Sequence, residues 1–204
     1  MSFVTIEGKK IYYEEYGVEH NSTLLYLHGG PGASCLDFVN QAKELSKKMR
    51  VIILDQLGVL RSDAIAENED YNMEYQIEML EGMRQFFGIE KWSILGHSYG
   101  GALAVLYAYI HSTSINKVIL ECPSLWFEDS AKSVAEYLSE HIDSLNNKLA
   151  SELCEKIKST DYHGRQEVAF DLLDLLNYVT DMQLRNYLHG ISSEEYQMSM
   201  NTSG

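Results

Sequence analysis

Short apolar runs alternate with longer amphipathic stretches through the first 120 or so residues. Phe3 to Glu7 and Ile11 to Tyr16 are β-prone, and Gly8-Lys9-Lys10 between them is a turn signal, so the chain should open with a β-hairpin. Leu24-Leu25-Tyr26-Leu27 is continuously apolar, as a strand buried on both faces requires. It runs into His28-Gly29-Gly30-Pro31-Gly32, which no regular element could hold. A helix follows, with Ser34 as its cap, Asp37 in its first turn, and Leu36, Val39, Ala42, Leu45 and Met49 on one face. Val51 to Leu54 reads as a second buried strand, ending at Asp55-Gln56-Leu57-Gly58. After a polar loop from Arg61 to Asn72, Met73, Ile77, Leu80, Met83 and Phe87 recur at helical spacing. Trp92 to Leu95 is a third strand, and Lys117 to Glu121 a fourth. The helix between them, Ala102 to Ile110, is apolar on nearly every side and should be deeply buried.

This alternation, with short connections, predicts an α/β fold: a mostly parallel sheet with helices on both faces. Beyond Pro123 the pattern changes, and residues 125 to 190 read as wholly helical, with breaks at Asn146-Asn147 and Thr160 to Gly164. Residues 1–124 are therefore expected to form the core and 125–204 a helical cap.

Charge and composition narrow the partners. Sixteen Lys and Arg against 30 Asp and Glu leave a net charge of −14, which argues against nucleic acid and anionic membrane surfaces. No apolar run approaches the roughly 18 residues of a bilayer span, and the first residues lack the basic start and apolar core of a signal peptide. Cys35, Cys122 and Cys154 cannot all pair and have no metal-ligand spacing. The expectation is a cytoplasmic protein without metal or cofactor.

The candidate chemistry lies at the strand ends. Gly96-His97-Ser98-Tyr99-Gly100 is a G-x-S-x-G between a buried strand and a buried helix, the setting of a nucleophile elbow. A serine on so sharp a turn needs glycines two residues to either side, because side chains there would collide. The helix after Ser98 also aims its amides and positive end at a developing oxyanion. The glycines at 29, 30 and 32 let the backbone approach a reacting carbonyl, so the amides of Gly30 and Tyr99 are the candidate oxyanion hole. A phosphate cradle is the alternative for this loop, but G-x-x-x-x-G-K-[ST] is absent and Cys35 breaks G-x-G-x-x-G. His28 is expected to brace the loop.

HGGPG at 28–32, DQLG at 55–58, Ser62 four residues after Gly58, and GHSYGGALA at 96–104 together resemble the proline iminopeptidases. These are serine aminopeptidases of the α/β-hydrolase fold, a group that includes the tricorn-interacting aminopeptidases. The resemblance covers roughly residues 1–125, and the helical stretch beyond is similar to that family's cap. It implies Ser98 as nucleophile, the Gly30 and Tyr99 amides as oxyanion hole, and a structural role for Asp55. It also implies acidic cap residues that bind the substrate's α-amino group. Glu195, in the segment after Gly190, matches one such glutamate, and Glu194 fits nearly as well.

Two departures stand out. The family loop reads D-Q-x-G-x-G-x-S, whereas Leu60 here occupies the second glycine's place. If that position needs φ > 0, leucine is strained there. The triad of this fold also runs Ser, then Asp or Glu, then His on later strands, and the roughly 50 residues needed for two further β-α units do not follow the helical stretch. The last sheet strands are thus expected to be missing, as if the chain were truncated after the cap. His97 should point away from the serine, and His111 lies about 20 Å along the following helix. His141, His163 and His189 fall in the cap-like segment.

The expectation is therefore a serine hydrolase that releases N-terminal proline or another residue from short peptides through an acyl-enzyme, with doubtful activity for these 204 residues alone. An esterase or lactonase of the same fold, and a non-catalytic binding protein, are the alternatives. The partner is a small peptide or other small acyl substrate. An open sheet edge adds an expectation of self-association.

Overall fold

The computed structural model describes residues 2–30, 33–66, 69 and 71–126, together with positions 129, 130, 133, 152 and 155. Six strands form one sheet: β1 (Ser2–Ile6), β2 (Lys9–Tyr16), β3 (Thr23–Leu27), β4 (Arg50–Leu54), β5 (Trp92–His97) and β6 (Ile115–Glu121). Their order is β1-β2-β4-β3-β5-β6. β1 and β2 pair antiparallel, as do β2 and β4, while β4, β3, β5 and β6 run parallel. The helices are α1 (Val39–Leu45), α2 (Met73–Phe86) and α3 (Tyr99–Ile110).

The continuous apolar runs are explained by cover on both faces. On one side, Tyr26, Val51 and Ile53 pack with Tyr12, Phe38 and Ala42, under α1. On the other, Leu25, Leu27, Ile52, Leu54, Trp92 and Ile94 meet Ile77 and Met83 of α2 and Leu103 and Tyr107 of α3. Period-2 alternation thus divides each strand between two cores. No helix among the described residues is long and apolar enough to cross a membrane.

Three local readings change. The hairpin turns on Glu7 and Gly8, both at positive φ (48° and 85°), with Ile6 opposite Lys9. That is the two-residue turn whose twist suits a hairpin, so Lys9 and Lys10 belong to β2. Ser34 does cap, its Oγ accepting from the amide of Leu36, but the first four residues, Cys35–Phe38, form a 3-10 turn before α1 begins. The tighter winding buries Cys35, Asp37 and Phe38. Finally, α3 is not buried all round: Leu103, Ala104 and Tyr107 are, whereas Val105, Tyr109 and Ile110 face outward.

Beyond residue 126, positions 129, 130, 133, 152 and 155 are helical. The rest of the expected cap, 125–204, lies outside the described residues, as do Pro31 and Gly32.

Candidate active site

The chain runs from β3 to β4 on one side and then crosses back to β5 on the other, so the sheet order reverses about β3. The loops leaving the C-terminal ends of β3 and β5 therefore part at a switch point, where open α/β sheets form their ligand crevice. The first loop carries Gly29 and Gly30, the second Ser98.

Ser98 has φ 51° and ψ −117° and joins β5 directly to α3. A non-glycine residue in that conformation is strained, and the surroundings must impose it. They do so from two sides. The Ser98 amide donates to the carbonyl of Glu121 at 3.0 Å, and the Ser98 carbonyl accepts from the amides of Gly101 at 2.9 Å and Ser124 at 3.0 Å. The glycines behave as the motif demands. A β-carbon on Gly96 would strike the carbonyl oxygen of Gly100, and one on Gly100 would strike the carbonyl oxygen of Leu27.

The β3 loop abuts this turn. A β-carbon on Gly29 would lie 3.1 Å from Cβ of Ser98 and 3.0 Å from Cδ2 of His97. At Gly30 the nearest such contact is Cδ1 of Tyr99, at 3.8 Å. The structure thus brings Ser98, Tyr99, Gly29 and Gly30 together. Glu194 and Glu195 lie outside the described residues.

The loop is held from behind by His28. Its Nε2 accepts from the amide of Gln56 at 3.0 Å, its Nδ1 faces the carbonyl of Gly29 at 2.5 Å, and its own carbonyl accepts from the Gln56 side chain at 2.9 Å. These partners assign a neutral ring with its proton on Nδ1. Burial agrees, lowering the His28 pKa by penalising the charged form.

Asp55 is fully buried. Burial would raise its pKa, but the Arg61 guanidinium, at 2.6 and 3.1 Å, outweighs this and holds the carboxyl below its usual range. The amide of Cys35 also donates to Asp55, at 3.1 Å, and Arg61 stacks over Tyr12 with 3.7 Å to the ring centre. Ser62 closes the loop by donating to the Asp55 carbonyl at 2.6 Å while accepting from the amide of Tyr12 at 2.9 Å. Asp55 is thus a brace, and Leu60 between these anchors has φ 42°.

The described histidines are committed elsewhere. His97 Nδ1 lies 3.3 Å from a Glu121 carboxylate oxygen, without the alignment of a hydrogen bond. His111 faces Glu78 at 3.1 Å, and His20 faces Glu19 at 3.5 Å. None of the described histidines hydrogen-bonds Ser98. Among the described residues no cluster of His, Cys, Asp and Glu could hold a metal.

Two supporting residues escape a reading of motifs. Arg61 neutralises Asp55, although in sequence it looks like the start of a polar loop. Gln76, on the buried side of α2, donates to the Tyr99 hydroxyl at 2.8 Å. Its polar character amid an apolar helical face was the available signal.

A protein family described as the alpha/beta hydrolase fold matches residues 22–170. The proline iminopeptidase of Saccharolobus solfataricus is 42% identical over 118 residues, covering 56% of this chain and 38% of that protein. That of Heyndrickxia coagulans is 28% identical over 164 residues, covering 78% and 54%. The chain thus spans about half or less of the length of these relatives. Among solved structures, a Vigna radiata epoxide hydrolase mutant is similar with a TM-score of 0.55 at 19% identity, over 58% of this chain and 37% of that one. At that identity the likeness is one of fold alone.

Proposed function

Because the chain belongs to the α/β-hydrolase family, with residues 22–170 matching, we propose that it carries the nucleophile and oxyanion hole of a serine hydrolase of the proline iminopeptidase type. The reaction is release of N-terminal proline, or another N-terminal residue, from short peptides, and its proposed setting is the cytoplasm. Ser98 attacks the carbonyl, and the amides of Gly30 and Tyr99 receive the negative charge of the tetrahedral intermediate. The scissile C–N bond then breaks as the proton lost by the Ser98 hydroxyl passes to the departing amine, leaving an acyl-enzyme that water hydrolyses. Glu195, with Glu194 beside it, is the proposed anchor for the substrate's ammonium group. An esterase or lactonase reaction would use the same elbow.

The observation that carries this reading is the strained backbone of Ser98, with Gly29 pressed against its β-carbon. Such strain at a half-buried strand-to-helix turn makes sense as presentation of a hydroxyl. A second reading, a binding protein without turnover, is favoured by the engagement of every described histidine away from Ser98, since a serine without a base is a poor nucleophile.

A fluorophosphonate probe separates the readings. Ser98-dependent labelling, lost in Ser98→Ala, supports the hydrolase, and we expect it together with little turnover of prolyl-arylamides by these 204 residues. Faster turnover of short acyl esters than of prolyl-arylamides would favour the esterase. An unlabelled but folded protein would leave the binding reading.

A further inference from the structure

Gln76 stands one position before Ile77 on the core side of α2, and it is buried. A buried amide costs more than an apolar side chain of similar size unless it is hydrogen-bonded. Here Nε2 reaches two acceptors, the Tyr99 hydroxyl at 2.8 Å and the Asn72 carbonyl, one turn back, at 3.4 Å. Packing does not set this side chain unaided. With Ile11, Leu57, Tyr71, Met79 and Leu80 it lines a cavity of about 20 Å³, room for one water. The hydrogen bonds, more than the packing, hold the amide in place.

Tyr99 is where the two halves of the candidate oxyanion hole meet. Its peptide is clamped on one side, because the Ser98 carbonyl accepts from the amides of Gly101 at 2.9 Å and Ser124 at 3.0 Å. In a trans peptide the C=O and N–H point opposite ways, so the Tyr99 amide faces away from those donors. Ser98, at the N-cap of α3, makes no side-chain bond to the first turn, which leaves that turn's amides unclaimed by a cap. The ring of the same residue lies against Gly30, where a β-carbon would find Cδ1 of Tyr99 at 3.8 Å. One ring thus spaces the two amides, and its far end, the hydroxyl, is held by Gln76.

We propose that Gln76 is a positioning residue of the oxyanion hole: through the Tyr99 hydroxyl it fixes the ring that sets the spacing of the Gly30 and Tyr99 amides. On the serine-hydrolase reading, on which this role rests, Gln76 acts through Tyr99 rather than on the substrate. An apolar residue of similar length would keep the packing of α2 and lose this hold.

Rates of reaction at position 98 test it. Gln76→Met keeps the side-chain length and Tyr99→Phe keeps the ring, so each removes the hydrogen bond with little change of volume. Each should slow fluorophosphonate labelling of the folded chain by about tenfold or more, because the phosphoryl oxygen must enter the oxyanion hole. The double variant should be no slower than either, since both changes remove one bond. Tyr71→Phe removes another hydroxyl from the cavity wall, one that donates to the Leu57 carbonyl at 3.2 Å, and should leave labelling unchanged. A Ser98→Cys background adds a reading that needs no activated serine. Acylation by a p-nitrophenyl ester builds an oxyanion there, whereas alkylation by iodoacetamide does not. Gln76→Met should slow the acylation about tenfold and spare the alkylation, both followed by mass spectrometry of the peptide carrying position 98. A serine that stays unlabelled in the wild type, with acylation still selectively slowed in the Ser98→Cys background, would defeat the activated-serine reading and support the role of Gln76. Acylation unaffected by Gln76→Met, equal slowing of acylation and alkylation, additive slowing in the double variant, or equal slowing by Tyr71→Phe would overturn the proposal.

Discussion

Gly100, in the first turn of α3, lies directly against the main-chain carbonyl of Leu27, the last residue of β3, with no room for a β-carbon. The contact ties the nucleophile turn to the strand that launches the oxyanion loop. The group it would strike is backbone and a β-carbon is fixed to its own Cα, so neither can rotate aside. Gly100→Ala should therefore destabilise the fold by roughly 1–3 kcal/mol, as overpacking does. Gly30→Ala, whose new carbon would find its nearest neighbour at 3.8 Å, should leave stability almost unchanged. Paired urea titrations check this, and equal midpoints for the two variants would refute it.

Leu60 is the inverse case. It stands at φ 42° between the anchored residues Asp55 and Ser62, where a left-handed conformation costs a non-glycine residue about 1–2 kcal/mol. Leu60→Gly gives back part of that to the greater freedom of glycine in the unfolded chain. A net gain of about 0.5–1 kcal/mol, or about 2 °C in Tm, is expected for a chain of this size. Thermal unfolding that shows no rise would mean that Leu60 side-chain packing outweighs the backbone term.

These two positions mark how far the sequence could be read. Gly96 was legible because the collision it avoids, with the carbonyl of Gly100, lies within five residues of chain and follows from the turn itself. Gly100 followed only from the motif, since it meets the carbonyl of Leu27 on another strand. The sheet was legible because strands covered on both faces lose their alternation, as Leu24 to Leu27 and Val51 to Leu54 do. The 3-10 turn at Cys35–Phe38 was not, since Leu36 and Phe38 are equally apolar and only packing on Tyr26 chooses between them, the rings stacking at 4.0 Å. Nor was the exposed side of α3 readable, because an apolar side chain carries no record of which face lacks cover. The pairing of Asp55 with Arg61 depends on how a loop folds back, which no periodicity encodes.

Asp37 introduces a pH dependence. It is buried, its Oδ1 has no hydrogen-bond partner, and burial raises its pKa from 3.8 to about 7. The folded state thus holds a proton that the unfolded state releases near pH 4. The stabilising contribution is complete below pH 4 and lost progressively as pH rises to about 7. At about 1.4 kcal/mol per pKa unit, the loss reaches at most about 4 kcal/mol. Asp37→Asn keeps a neutral, similarly shaped group and should remove this component. Denaturation midpoints of the variant and wild type should lie closest at or below about pH 4 and separate progressively toward pH 8, with the variant more stable. A constant gap across that range would show that Asp37 does not titrate there.

The strain at Ser98 predicts a conflict between stability and reactivity. Its φ of 51° and ψ of −117° suit glycine, and such conformations cost other residues about 1–3 kcal/mol. Ser98→Gly relieves this strain but loses about 0.5–1 kcal/mol to glycine's unfolded-state entropy, for a net gain of about 1 kcal/mol. The Tm should rise by about 2–4 °C, while fluorophosphonate labelling disappears. Ser98→Ala also loses labelling, yet retains a β-carbon and with it the strain, so its Tm should stay near that of the wild type. The difference between the two variants isolates the backbone term from the loss of the hydroxyl. Identical melting of the Gly and Ala variants would show that the turn, held by Glu121, Ser124 and Gly101, relaxes enough to accommodate serine at no cost.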